Sequence, residues 1–126
     1  MEEDSMEKKR TILVVDDEPN IRLLAKSILD KDFVVLEASD GDAALNIARS
    51  QKPDLILMDI MMPKMDGYTA CSTIKTDQKT KAIPVVMVTG VGYQLNKELA
   101  RQFGANDYLT KPFTPQELLA TVDKFL

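Results

Sequence analysis

Five short apolar runs rich in β-branched residues punctuate this 126-residue chain: Ile12 to Val15, Val34 to Leu36, Leu55 to Met58, Val85 to Val88, and the pair Tyr108-Leu109. Each is bounded by Pro, Gly or Asp. The first, third and fourth show no alternation of apolar and polar residues, the pattern of a strand covered on both faces. Helical patterns fill the gaps. Ile21, Leu24, Ala25, Ile28 and Leu29 recur at helical spacing behind Pro19, which suits a first helical position. Ala44, Ile47 and Ala48 make a second apolar stripe, and Tyr68, Cys71 and Ile74 a third. Leu95, Leu99 and Phe103 make a fourth, which Gly104 ends as a C-cap. Thr114-Pro115-Gln116-Glu117 reads as a capping box with proline at the first position. It opens a fifth helix whose apolar face is Leu118, Leu119, Val122, Phe125 and Leu126. Strand and helix thus alternate five times, which implies right-handed crossovers and a parallel sheet between two layers of helices.

In such a sheet, ligands bind beyond the carboxyl ends of the strands. The first strand runs into Asp16 and Asp17, the third into Asp59 and the fourth into Thr89, while Lys111 follows the fifth. Neighbouring strands lie about 4.8 Å apart, so these side chains are expected to converge. Asp16 and Asp17 side by side are expected to repel. A hard cation would offset that cost, and a partial all-oxygen cage open to water suits Mg²⁺. Such a set also lets a phosphoryl donor approach an acidic pocket. Asp59, alone at its strand end, is the candidate nucleophile for an aspartyl-phosphate. Lys111 and Thr89 are the candidate partners of the phosphoryl oxygens.

Composition narrows the field. There is no histidine, which excludes His-based zinc sites and Ser-His or Cys-His nucleophile pairs. A net charge of -4 makes direct nucleic-acid binding a poor fit. The single cysteine, Cys71, allows no internal disulfide and sits on a helical apolar stripe as a small core residue. No apolar run approaches the length of a membrane span, and the charged start MEEDSMEKKR has no apolar segment of a secretory signal. Residues 1–10 are expected to be a flexible leader, residues 11–126 one domain, and the protein cytoplasmic.

Four stretches in order, LVVDDE at Leu13 to Glu18, LILMDIMMPKMDG at Leu55 to Gly67, VVMVTG at Val85 to Gly90 and NDYLTKPF at Asn106 to Phe113, resemble the response-regulator receiver domain of two-component signalling. The resemblance covers essentially the whole chain after the leader. It implies a doubly wound (βα)5 flavodoxin-like sandwich with sheet order 2-1-3-4-5. It places the phosphoacceptor on Asp59, the Mg²⁺ ligands on Asp16, Asp17, Asp59 and the backbone carbonyl of Met61, and the catalytic partners on Lys111 and Thr89. Thr89 and Tyr108 become the switch pair, and the Lys111-Pro112 bond is implied to be cis. Where the family often has Ala or Ser after the hydroxyl residue, this chain has Gly90, followed by Val91 and Gly92. By family geometry Met61 and Val91 flank the line along which water would attack the phosphoryl group. Neither side chain can orient that water, so a long-lived phosphorylated state is expected.

The implied function is a phosphorylation switch rather than an enzyme acting on a separate substrate, although it assists its own phosphorylation and dephosphorylation. A sensor histidine kinase or phosphotransfer protein would donate the phosphoryl group. A downstream protein would read the face formed by the fourth helix, fifth strand and fifth helix. A fragment of a larger regulator and a phosphorelay intermediate remain alternatives. An aspartate phosphatase would instead show acids spaced DxD and a cap, and a flavodoxin would need a Ser/Thr/Gly phosphate loop where this chain has DDEPN. A phosphorylation-independent module on the same fold would not need the intact site.

Overall fold

The computed structural model describes residues 9–90 and 97–126. The five apolar runs are strands: β1 Thr11–Val15, β2 Val34–Ala38, β3 Leu55–Asp59, β4 Val85–Thr89 and β5 Asp107–Thr110. They form one parallel sheet in the order β2-β1-β3-β4-β5. Between and after them lie α1 Pro19–Leu29, α2 Gly41–Gln51, α3 Gly67–Thr76, α4 Lys97–Gln102 and α5 Pro115–Asp123. Leu95, Val91 and Gly92 lie outside the described residues. Among the described residues, no helix is long and apolar enough to cross a membrane.

The missing alternation in β1, β3 and β4 has its cause in two cores, one on each side of the sheet. Leu13, Val15, Ile56, Met58, Val85 and Met87 face one way and pack with Ala44, Ala48, Ala70, Cys71 and Ile74 of α2 and α3. Ile12, Val14, Leu55, Leu57, Val86 and Val88 face the other way and pack with Ala25 and Leu29 of α1 and with Leu118 and Val122 of α5. Successive strand residues point to opposite faces, so both sets must be apolar when both faces are covered.

The apolar stripe on α1 is narrower than the sequence pattern suggests. Ala25 and Leu29 are buried and Ile28 packs beside them, but Leu24 is 42% exposed. Successive helical residues are about 100° apart, which turns Leu24 away from the strip that Ala25 and Leu29 press on the sheet.

Local signals set the helix ends. Asp40 and Asp66 accept hydrogen bonds from the Ala43 and Thr69 amides, each at 2.8 Å, and so cap α2 and α3. Gly104 has φ +88 and closes α4 with paired bonds from its own amide to Arg101 and from the Ala105 amide to Ala100. Thr114 and Glu117 form the full capping box ahead of Pro115. Thr114→Ala removes one half of that box and should cost about 1 kcal/mol. A lower urea midpoint at unchanged m-value is the expected reading.

Candidate functional site

The register of the sheet brings the strand ends together. Val15 pairs with Met58, so Asp16 emerges beside Asp59, the last residue of β3. Thr89, the last residue of β4, pairs with Thr110. Its carbonyl accepts the Lys111 amide at 2.6 Å, which carries β5 on to the lysine. The Lys111-Pro112 peptide is cis. The resulting cleft is lined by Asp17, Glu18, Asp59, Met61, Gly90 and Lys111, among others.

Asp16 is buried and held at every polar atom. Its amide donates to the Ala38 carbonyl at 3.1 Å, and its carbonyl accepts Arg22 Nη1 at 2.7 Å. Oδ1 accepts the Glu18 amide at 2.9 Å, and Oδ2 accepts Lys111 Nζ at 2.8 Å. The same ammonium lies 3.5 Å from Asp59 Oδ1 and 3.8 Å from Glu18 Oε1. Burial by itself would lower the Lys111 pKa. The Asp16 hydrogen bond and charge, then Asp59, outweigh it, and the net shift is upward.

Asp59 is the strained acid. Its side chain is 4% exposed. Burial, then the Asp16 charge, pushes its pKa from an ordinary 3.8 up to about 6, against the opposing pull of Lys111 and of the Met61 amide 3.4 Å away. Adjacency in the sequence placed the repulsion between Asp16 and Asp17. In the folded chain the Asp16 charge also bears on Asp59, whose carboxylate is buried.

Asp16, Asp17 and Asp59 each present a carboxylate oxygen, and these oxygens lie within 4.8 Å of one another. Three convergent hard oxygen donors, two on buried residues and one facing solvent, fit a hydrated Mg²⁺. Thr89 is buried at the end of β4, and Tyr108 is half-buried against the α2–α3 core. Met61 is 62% exposed at the cleft, unlike Met58 and Met87, which are fully buried, and Met62 and Met65, which pack on the core. Cys71 is core: its thiol donates to the Phe103 carbonyl at 3.3 Å, and burial pushes its pKa up to about 11.

Two further residues shape the site without having shown themselves in the sequence as site residues. Arg22 reaches back from α1 to the Asp16 carbonyl, but in the sequence it is one charge on a polar helix face. Gly67 brings the start of α3 against the end of β3. A Cβ there would overlap the Asp59 carbonyl and sit 2.8 Å from the Ile60 Cα. The Asp66-Gly67 pair reads as a turn and helix start, and the close approach is an added reason for the glycine.

The family model described as "Response regulator receiver domain" matches residues 12–123. The chain is 43% identical over 122 residues to the alkaline phosphatase synthesis transcriptional regulatory protein PhoP of Bacillus subtilis, covering 96% of this chain and 49% of that protein. The chain spans about half the length of most of the curated relatives it matches. Among solved structures, the chemotaxis response regulator CheY4 of Vibrio cholerae superposes with a TM-score of 0.86 at 32% identity, covering 94% of this chain and 100% of that one. The receiver domain of sensor histidine kinase PA1611 of Pseudomonas aeruginosa, solved with a magnesium ion in its active-site cleft, gives 0.84 at 32% identity, with coverages of 93% and 97%.

Proposed function

This chain belongs to the response regulator receiver domain family, and from that membership we propose that Asp59 accepts a phosphoryl group from a phosphohistidine of a sensor kinase or phosphotransfer protein. The observation that carries the proposal is the setting of Asp59: a buried carboxylate at an open cleft, crowded by Asp16 and with the Lys111 ammonium 3.5 Å away. With a pKa of about 6, Asp59 is mostly ionised at neutral pH, as a nucleophile must be. A carboxylate oxygen attacks phosphorus, the P–O bond forms as the P–N bond breaks, and the imidazole leaves with the electron pair. Lys111 neutralises a phosphoryl oxygen by turning from Asp16, and the Thr89 hydroxyl donates to another.

Asp16, Asp17, Asp59 and the Met61 carbonyl would hold Mg²⁺, which supplies charge neutralisation for the incoming phosphoryl group. The chain thereby assists its own phosphorylation, and its product is an altered surface. Thr89 draws toward the phosphoryl group and Tyr108 turns inward, biasing the face of α4, β5 and α5 that a downstream protein reads. The Met61 thioether at the cleft is a weak acceptor for water, which favours a slow loss of phosphate.

Incubation with a small-molecule phosphodonor and Mg²⁺, followed by peptide mass spectrometry, should place one phosphoryl group on Asp59. Label on Asp16, Asp17 or a hydroxyl side chain refutes the assignment. Thr89→Ala should keep the label while weakening capture of the downstream partner, and unchanged capture removes Thr89 from the switch.

A further inference from the structure

We propose that Arg22 is a positioning residue for the metal site, acting through the peptide that joins Asp16 to Asp17; this rests on the reading of the three aspartates as a Mg²⁺ site. Arg22 lies one turn into α1, with its side chain 18% exposed. Its guanidinium makes two bonds in different directions. Nη1 donates to the Asp16 carbonyl at 2.7 Å, and Nε donates to Glu37 Oε1 at 3.1 Å. Glu37 belongs to β2 and pairs in register with Val14. The fork therefore ties the start of α1, the end of β2 and the turn after β1 into one piece.

The bonded carbonyl belongs to the peptide plane from which Asp17 leaves. Asp16 is already held through its amide and both carboxylate oxygens, but Asp17 is exposed. Among the described residues, the Asp17 carboxylate accepts no hydrogen bond. The orientation of its peptide is thus what the fold uses to aim this third donor at the other two. Groups that orient metal ligands in this way typically change metal affinity by about 10–100-fold when removed.

Charge alone predicts the opposite sign. A cation near three carboxylates opposes Mg²⁺, so deleting it would tighten binding if Arg22 acted only through space. Lysine separates the two readings further. It keeps the charge, but as a single point donor it cannot hold the Asp16 carbonyl and Glu37 together in fork geometry.

The test is Mg²⁺ titration by calorimetry on wild type, Arg22→Ala, Arg22→Lys and Glu37→Ala, each first shown to have a wild-type circular dichroism spectrum in chelator. We expect Arg22→Ala to bind Mg²⁺ about tenfold or more weakly. Arg22→Lys should be weakened less but clearly, and Glu37→Ala by a smaller factor again. Phosphodonor labelling of Asp59 in the variants should return toward the wild-type extent at saturating Mg²⁺, since Arg22 touches no reacting atom. Equal or tighter binding by Arg22→Ala overturns the positioning role, as does a wild-type affinity in Arg22→Lys with loss only in Arg22→Ala. A lower melting temperature with unchanged Mg²⁺ affinity reduces Arg22 to a structural clamp and also overturns it. If wild type itself binds no Mg²⁺, the metal reading fails first and takes this one with it.

Discussion

Asp59→Asn should abolish phosphorylation and, in chelator at neutral pH, make the protein more stable by about 2–3 kcal/mol. The asparagine cannot attack phosphorus, so the loss of label is complete. The gain in stability follows from linkage. Asp59 titrates near 3.8 when unfolded and near 6 when folded, because burial and the Asp16 charge disfavour its ionised form. Well below pH 3.8 the group is protonated in both states and adds no cost. Between pH 3.8 and about 6 the unfolded chain releases the proton while the folded chain keeps it, so stability falls across that window and the loss is complete above it. A shift of about two units corresponds to about 3 kcal/mol at its full extent. The mutant lacks this term, so the urea midpoints of mutant and wild type should nearly coincide at about pH 3 and separate by pH 7.5. A separation equal at both pH values, or wild type the more stable at pH 7.5, shows that the Asp59 carboxylate is not strained.

Gly67→Ala should be the most damaging conservative change at the site, costing about 3 kcal/mol or more. The added Cβ meets backbone, the Asp59 carbonyl and the Ile60 Cα, rather than a flexible side-chain tip that could yield. Relief requires α3 to move away from the end of β3, which carries Asp59. The same variant should therefore lose labelling efficiency even at temperatures where it remains folded. Gly90→Ala is the control. Among the described residues, a Cβ there meets no heavy atom within 4 Å, so its stability should stay within about 0.5 kcal/mol of wild type. A melting temperature for Gly67→Ala close to that of Gly90→Ala would show that the helix start has room to spare.

Much of this site was legible because strand ends are marked in sequence. An apolar run that stops at Asp59 or at Thr89 says where the chain leaves the sheet, and a parallel sheet puts all such exits on one edge. Lys111 was legible by the same logic, once β5 was recognised from as little as Tyr108-Leu109. Gly67 and Arg22 were not, because their importance lies in what approaches them from elsewhere. Gly67 matters through the Asp59 carbonyl, and Arg22 through Asp16 and Glu37. A single sequence carries no mark of such meetings. Leu24 misled for a related reason. Helical spacing says which residues share a stripe, but the breadth of the stripe depends on how the helix sits on its sheet. The sequence shows Asp16 and Asp17 as chain neighbours but not that the Asp16 charge also bears on Asp59, whose strand lies beside its own.

The two-sided sheet has a consequence for how this chain can change. Leu13 and Val14 are consecutive, yet one contributes to the core under α2 and α3 and the other to the core under α1 and α5. Because the two side chains belong to different clusters, substitutions at Leu13 and Val14 should couple more weakly than substitutions at Leu13 and Ile74, 61 positions apart but in one cluster. Variation can thus accumulate beneath one helical layer with little toll on the other. Changes beneath α1 and α5 and changes beneath α2 and α3 act through different side chains, yet both draw on the stability of one sheet.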